Sequence, residues 1–146
     1  MIVCLFGQPH SGKSTLASEL MKISNFSDSW FIDGDDLRKI FQNTNYTREG
    51  RLQNLNRASD IAHYLNSTTG KHVILSLVYP YEDARNYLNS LTTNVKWIYL
   101  SYEGQRGREK FHVSDFEIPK NGEILKLNTS ISSIDDCLSV IQNYLA

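Results

Sequence analysis

The chain carries a nine-residue segment, GQPHSGKST at residues 7–15, whose residue types suit the binding of phosphate. Gly7, four intervening residues, Gly12, Lys13 and Ser14 reproduce the Walker A pattern. Its glycines let backbone N–H groups converge on phosphate oxygens, its lysine reaches the β- and γ-phosphates, and its serine binds Mg²⁺. We therefore expect ATP and Mg²⁺ to bind at Gly7, Gln8, Pro9, His10, Ser11, Gly12, Lys13, Ser14 and Thr15.

The elements around this segment supply the context that the pattern requires. The apolar run IVCLF predicts a buried strand before it, and helical periodicity predicts a helix over 11–23 after it. The remaining runs predict strands over 30–33, 72–77, 95–101 and 123–129, and helices over 35–42, 47–68, 81–91 and 133–145. Continuous apolar strands that alternate with helices predict an α/β fold in which helices cover both faces of a parallel sheet. Ligands of such sheets bind beyond the carboxyl ends of the strands.

Two carboxylates follow the second predicted strand in the stretch FIDGDDLR. Asp33 ends the strand and Asp35 opens the next helix, so both are expected to face the crevice beside the phosphate loop. Carboxylates there can accept a proton from an acceptor hydroxyl or hold magnesium through water. The same residues also fit an Asp-Gly turn followed by a helix cap. No Walker B aspartate is found, because the third and fourth strands carry Ser76 and Ser101 at or next to their ends.

The long predicted helix changes character along its inward face. Its apolar stripe gives way to Arg51 and Asn54 in the first turns. A polar group on a buried stripe is costly unless it is paired, and a bound anion in the crevice is one such partner. Arg38, one turn into the preceding helix, is a second candidate for anion binding. A solvated surface position is the alternative for all three residues.

The bulk properties limit the classes of function. A chain of 146 residues suits one domain with a core, so we expect residues 1–146 to form a single domain. The net charge of -1 does not favour a long nucleic acid as partner. The apolar runs are too short to cross a membrane, and we find no signal peptide, so we expect a cytoplasmic protein without a membrane partner. Cys4 and Cys137 are expected to be reduced packing residues.

Together these stretches resemble the adenylylsulfate kinases (APS kinases), which transfer the γ-phosphate of ATP to the ribose 3′-hydroxyl of adenosine 5′-phosphosulfate (APS). The resemblance covers most of the chain. It rests on GQPHSGKST, DGDDLR (33–38), YTREGRLQNLNR (46–57), SLVYPYEDAR (76–85), FHVSDFEIP (111–119) and LKLNTSISSIDDCL. It implies a three-layer α/β/α P-loop fold with strand order 2-3-1-4-5, and an ATP-dependent kinase of sulfate assimilation that produces PAPS and ADP. Whether the protein forms a homodimer is left open by the resemblance.

The resemblance also implies roles for individual residues. The catalytic group would be Lys13, Asp33 and Asp35, with Asp35 as the base or, together with Ser14, as a magnesium ligand. The acceptor would be held by Asp33, Arg38, Tyr46, Arg51, Asn54, Ser76 and Phe111.

The aromatic pair and the lid are the remaining parts that the resemblance implies. Tyr46 and Phe111 would enclose the adenine of the acceptor, although the pattern also fits two core residues. The lid would span about 102–122, and it is shorter than in the family, with EGQRGREK (103–110) in place of a longer helix. Arg106 and Arg108 would supply its cations.

Several positions depart from the family pattern. Tyr79 stands where the family has a serine before proline, Gly50 where it has an aspartate, and FHV (111–113) where it has FTG. Glu82 replaces an arginine and would bring a negative charge near an anionic substrate. Two alternatives therefore stay open. One is a different acceptor, such as a polynucleotide 5′-hydroxyl, a nucleoside monophosphate or a small alcohol, and the other is a nucleotide-binding module without catalysis.

Overall fold

A computed structural model describes residues 1–104, 111–120 and 122–146. Its elements in chain order are β1 (Ile2–Phe6), α1 (Lys13–Leu20), β2 (Trp30–Asp33), α2 (Gly34–Phe41), α3 (Arg48–Thr69), β3 (Val73–Leu77), α4 (Glu82–Leu91), β4 (Val95–Ser101), β5 (Leu125–Asn128) and α5 (Ile134–Leu145). The described strands form one parallel sheet in the order β2-β3-β1-β4-β5. The α/β fold and the strand order implied by the resemblance are confirmed.

The predicted elements are all present, with ends that differ by at most three residues. The largest difference is at α1, which was expected over 11–23 and ends three residues earlier, at Leu20; it also begins two residues later, at Lys13. The reason for the later beginning is that Gly12 is left-handed, with φ 100°, and so belongs to the loop. A short 3₁₀ helix at Ser24–Phe26 follows α1 and was not predicted. The long helix α3 ends where expected, at a left-handed Gly70 with φ 71°.

Alternate residues of β1 enter two apolar clusters, one on each face of the sheet. Ile2, Cys4 and Phe6 pack with α3 and α4, whereas Val3 and Leu5 pack with α1 and α5. Helices therefore cover both faces, which is why the buried strands are continuously apolar. The phosphate loop leaves the central strand of this sandwich.

Both cysteines are buried and unpaired, as expected for packing residues. Burial raises the pKa of the Cys4 thiol well above its usual value and also raises that of Cys137, so both thiols stay protonated at neutral pH. Among the described residues, no helix is both long and apolar enough to cross a bilayer.

A buried arginine holds the chain that follows β3. Arg85 on α4 is 5% exposed and donates from Nη1 to the Tyr79 carbonyl (2.7 Å) and from Nη2 to the Glu117 carbonyl (2.8 Å). Its guanidinium lies 5.3 Å from the centroid of the Phe6 ring. The Glu117 amide in turn donates to the Pro80 carbonyl at 2.7 Å. Arg85 thus joins the turn after β3 to the segment 111–120.

Replacing Arg85 by methionine should lower the free energy of unfolding by about 2–4 kcal/mol, because the buried Tyr79 carbonyl and the partly buried Glu117 carbonyl lose their donor. Urea denaturation followed by circular dichroism measures the change. The matched control is Arg57→Met, whose guanidinium lies 4.4 Å from the exposed Phe41 ring and should contribute less than about 1 kcal/mol. Equal losses in the two variants would contradict the structural role of Arg85.

Candidate active site

The phosphate loop leaves β1 under a steric constraint. A Cβ atom at Gly7 would lie 2.2 Å from the Leu100 carbonyl oxygen, and the Gly7 backbone has φ 152°, so only glycine fits. The Gly7 amide donates to the Val78 carbonyl at 3.2 Å. The loop therefore packs closely between the end of β4 and the end of β3. Lys13 Nζ lies 3.1 Å from the Gly7 carbonyl and 2.9 Å from the Gln8 carbonyl.

A series of hydrogen bonds joins this loop to the ends of β2 and β3. The Ser14 hydroxyl donates to Asp33 Oδ2 at 3.0 Å and lies 3.3 Å from the hydroxyl of the buried Ser76. The second oxygen, Asp33 Oδ1, accepts from the Asp35 amide at 2.9 Å and so caps α2. One carboxylate thus serves both as a helix cap and as the partner of the Walker A serine. The helix-cap interpretation of Asp33 is confirmed, whereas its catalytic or magnesium-binding role stays a prediction.

A cavity of about 840 Å³ lies beside these residues, within the usual size range for small-molecule sites. The predicted residues that line it are Pro9, His10, Gly12, Lys13, Ser14, Thr15, Asp33, Asp35, Arg38, Tyr46, Arg51, Asn54, Ser76 and Phe111. Gly7, Gln8 and Ser11 belong to the loop but do not line the cavity. Arg106 and Arg108, the predicted lid cations, lie outside the described residues.

Sequence reasoning missed a part of the cavity wall directly after Arg38. Lys39 and the turn that follows α2 line the cavity at Gln42, Asn43 and Thr44. Further lining residues are Gly34, Leu55, Leu77, Val78 and Pro80. One feature of the sequence could have identified Lys39 and the turn after it: they lie between Arg38 and Tyr46, both of which were predicted to line the site.

The charged side chains of the cavity favour a ligand with several negative charges. Among the described lining residues, the cations Lys13, Arg38, Lys39 and Arg51 outnumber the carboxylates Asp33 and Asp35. Such an excess of one sign in a concave site concentrates ligands of the opposite sign.

Arg38 is held by the turn that follows α2 and is not a solvated surface residue. Its Nη1 donates to the carbonyls of Asn43 (3.1 Å) and Asn45 (3.2 Å), and its guanidinium lies 4.1 Å from the centroid of the Tyr46 ring. Burial lowers the pKa of Arg38, and nearby Arg51 lowers it further. A guanidinium stays charged despite such a shift, so Arg38 remains a fixed cation at the cavity wall.

Tyr46 and Phe111 face each other in this wall. Their ring centroids are 5.8 Å apart, and the two residues are 48% and 38% exposed. These fractions are too large for core residues, so the core interpretation is wrong. At this separation the two tilted rings contact each other, so an adenine is not enclosed between them and would stack on their exposed surface. Arg51 Nε donates to the Tyr46 carbonyl at 2.8 Å and so fixes the backbone that carries the ring.

Asn54 brings a buried polar group to the cavity. The residue is 4% exposed, and its Nδ2 lies 3.5 Å from the Gly34 carbonyl. Within the described part of the chain, its Oδ1 is buried without a hydrogen-bond partner. An orphaned acceptor in a cavity wall is costly unless a ligand supplies the donor. The polar face predicted for the start of α3 is therefore present.

Comparison with known proteins identifies the family of this chain. A family model described as adenylylsulphate kinase matches residues 1–135. The chain belongs to the adenylylsulphate kinase family. It is a P-loop kinase, and the kinase family supports nucleotide binding at the loop described above.

Three relatives illustrate the range of the family likeness. The crystal structure of the protein APE1195 is 28% identical with a TM-score of 0.80, and the match covers 98% of this chain and 92% of that one. The Mycobacterium tuberculosis APS kinase CysC in complex with AMPPNP and APS shares the fold, with a TM-score of 0.80 at 22% identity over 99% of this chain and 96% of that one. The cytidine diphosphoramidate kinase of Campylobacter jejuni is 28% identical over 102 residues, which are 68% of this chain. The match spans only 59% of that relative's length.

The departures from the adenylylsulfate kinase pattern can now be placed. Tyr79 is buried in the core, where its hydroxyl lies 2.8 Å from that of Ser59, and it does not line the cavity. Glu82 is exposed at the start of α4 and is not among the lining residues, so its carboxylate does not form part of the cavity wall, and its effect on an anionic substrate stays a prediction. At Gly50, a Cβ atom would lie 2.2 Å from the Asn45 carbonyl oxygen. The turn before α3 therefore leaves no room for the family's aspartate.

We expect Gly50→Ala to lower the free energy of unfolding by about 1–3 kcal/mol, because the backbone of the turn before α3 must move. The same movement should weaken binding at the cavity, since Asn43 Nδ2 donates to the Gly50 carbonyl at 2.9 Å and Asn43 holds Arg38. Gly122→Ala is the control, because nothing lies within 4 Å of a Cβ atom there. Chemical denaturation of both variants checks the prediction, which fails if the two lose equal stability.

Proposed function

We propose that this kinase transfers the γ-phosphate of ATP to the ribose 3′-hydroxyl of APS, giving PAPS and ADP. The observation that carries the proposal is a single cavity that combines a phosphate loop, two carboxylates, several cations and an exposed aromatic pair. An acceptor with an aromatic base at one end and a doubly anionic group at the other matches this combination. The cations and the aromatic pair are adjacent, since Arg38 stacks on Tyr46.

The donor and the acceptor have separate spaces available to them. A second cavity of about 110 Å³ borders Gly12 and Thr15 on the side of α5, where its lining also includes Thr129, Ser132 and Ile134. We propose that the donor nucleotide extends from the loop toward this second cavity. The acceptor then occupies the large cavity, so that the two substrates meet at the phosphate loop.

Magnesium fits the oxygen atoms gathered beside the loop. The Ser14 hydroxyl and the Asp33 carboxylate, 3.0 Å apart, are the kind of ligands that Mg²⁺ takes directly or through water. When bound, the ion neutralises charge on the β- and γ-phosphates. Ser14 and Asp33 would hold it. The role of Asp35 as a magnesium ligand stays a prediction, and the contact of Ser14 favours Asp33.

We assign the acceptance of the proton from the acceptor hydroxyl to Asp35, because Asp33 caps α2 and accepts from Ser14 and so suits the magnesium site. Asp35 lines the cavity in the first turn of α2. Lys13 and the loop amides would bind the transferred phosphoryl group, while Arg38 and Arg51 hold the anionic end of the acceptor. Transfer in line and directly between the two substrates needs no covalent intermediate on the protein.

A second acceptor, cytidine diphosphoramidate, is favoured by the likeness to the Campylobacter jejuni enzyme. That compound and APS are both nucleotides whose 5′-phosphate carries a second group. The stacking pair and the cations suit both, because stacking on an aromatic ring tolerates either base.

A panel of acceptors tests the proposal. ADP release is measured with APS, cytidine diphosphoramidate, nucleoside monophosphates and a 5′-hydroxyl oligonucleotide, and the phosphorylated position is read by mass spectrometry and NMR. We expect the highest kcat/KM with APS. A higher value with cytidine diphosphoramidate would replace APS by the second acceptor. ATP binding without transfer to any acceptor would instead support a non-catalytic module.

Asp35→Asn should lower kcat by about 10²- to 10⁴-fold, because the proton acceptor is lost, while the dissociation constant of ATP changes little. Asp36→Asn is the matched control, since Asp36 is the exposed neighbour on the same helix and does not line the cavity. Single-turnover kinetics and calorimetric ATP titration give the two quantities. If both variants turn over equally fast, Asp35 is not the base.

A further inference from the structure

Gln8 makes a double hydrogen bond to a residue far away in the chain. Its Nε2 donates to the Val113 carbonyl at 2.8 Å, and the Val113 amide donates to its Oε1 at 2.9 Å. The side-chain amide therefore pairs with a peptide group much as a neighbouring strand would. Both the donor and the acceptor of one backbone residue are satisfied by one side chain.

This contact is separate from the part that Gln8 plays in the phosphate loop. The Walker A pattern places no demand on the residue type at this position. The Gln8 carbonyl accepts from Lys13 Nζ at 2.9 Å and from the Ser11 amide at 3.2 Å, so the backbone belongs to the loop. The side chain reaches the segment 111–120 instead, and it does not line the large cavity.

Val113 lies two residues after Phe111, so the bonds between Gln8 and Val113 restrain the backbone next to one ring of the aromatic pair. Beyond Val113 the segment is held by Tyr81, whose hydroxyl donates to Asp115 Oδ1 at 3.3 Å, and by the bonds of Glu117 to Pro80 and Arg85. The bonds of Gln8 are nearer to Phe111 than any of these. Val113 itself is buried, so the segment turns inward at this point and Phe111 emerges just before it.

We infer that Gln8 is a positioning residue for the acceptor: it anchors Val113 to the phosphate loop and thereby sets Phe111 opposite Tyr46. The inference rests on the proposed function, because it takes the aromatic pair to contact the base of the acceptor. Gln8 touches no reacting atom in this role. Its effect is to fix one wall of the acceptor site to the loop that binds the donor phosphates.

Two substitutions separate hydrogen bonding from packing. Gln8→Met keeps a similar side-chain length and removes both bonds, whereas Gln8→Glu keeps an acceptor for the Val113 amide and loses the donor. We expect Gln8→Met to raise the acceptor KM roughly tenfold or more, as the loss of two hydrogen bonds implies, with smaller changes in ATP KM and kcat. Gln53→Glu, at an exposed position of α3 outside the cavity, is the control and should match the wild type.

Amide hydrogen exchange supplies a readout that does not depend on turnover. The Val113 amide should exchange faster in Gln8→Met and stay protected in Gln8→Glu. An acceptor KM within twofold of the wild type in Gln8→Met would overturn the inference while leaving the proposed function intact. A wild-type chain that transfers phosphate to no nucleotide would overturn the proposed function, and this role of Gln8 with it.

Discussion

The contact of Gly7 with the Leu100 carbonyl is the constraint on which the site depends. Because no side chain fits between them, the chain can turn out of the central strand directly into the phosphate loop. The loop then lies between the ends of β3 and β4, and Thr129, just after β5, adds a bond from its hydroxyl to the Ser11 carbonyl at 2.7 Å. The position of the phosphate loop is thus set by the central strand and by the ends of its neighbours in the sheet.

The parallel order of the strands brings the other groups to the same edge. Asp33 ends β2, and Ser76 is near the end of β3, so their side chains meet Ser14 without any long-range loop. Asp33 has two tasks that reinforce each other, because the bond that caps α2 also orients the carboxylate toward Ser14. Preorganised groups of this kind need little rearrangement when a substrate binds.

The local parts of this arrangement could be predicted from the sequence, and the contacts between distant parts could not. Apolar periodicity located the strands and helices, and the positions just after strands located Asp33, Asp35 and the phosphate loop. The turn at 42–45 has no period and was missed, although its backbone carbonyls hold Arg38. The bonds between Gln8 and Val113 were also invisible, because no local pattern relates two residues that are 105 positions apart. The burial of Tyr79 depends on packing under α3, which the sequence does not specify.

The phosphate-transfer groups and the acceptor-binding groups are held in place by different kinds of contact, and this difference affects which residues can determine the acceptor. The groups that would move the phosphate lie on strand ends and on the first turns of α1 and α2. The groups that would choose the acceptor lie on the turn between α2 and α3 and on the segment 111–120, where side chains hold the backbone: Asn43 and Arg38 on one side, Gln8 and Arg85 on the other. Substitutions in these supports can reshape the acceptor wall while the transfer groups keep their geometry. We therefore expect the residues that determine the acceptor among the supports of Tyr46 and Phe111 rather than among the carboxylates.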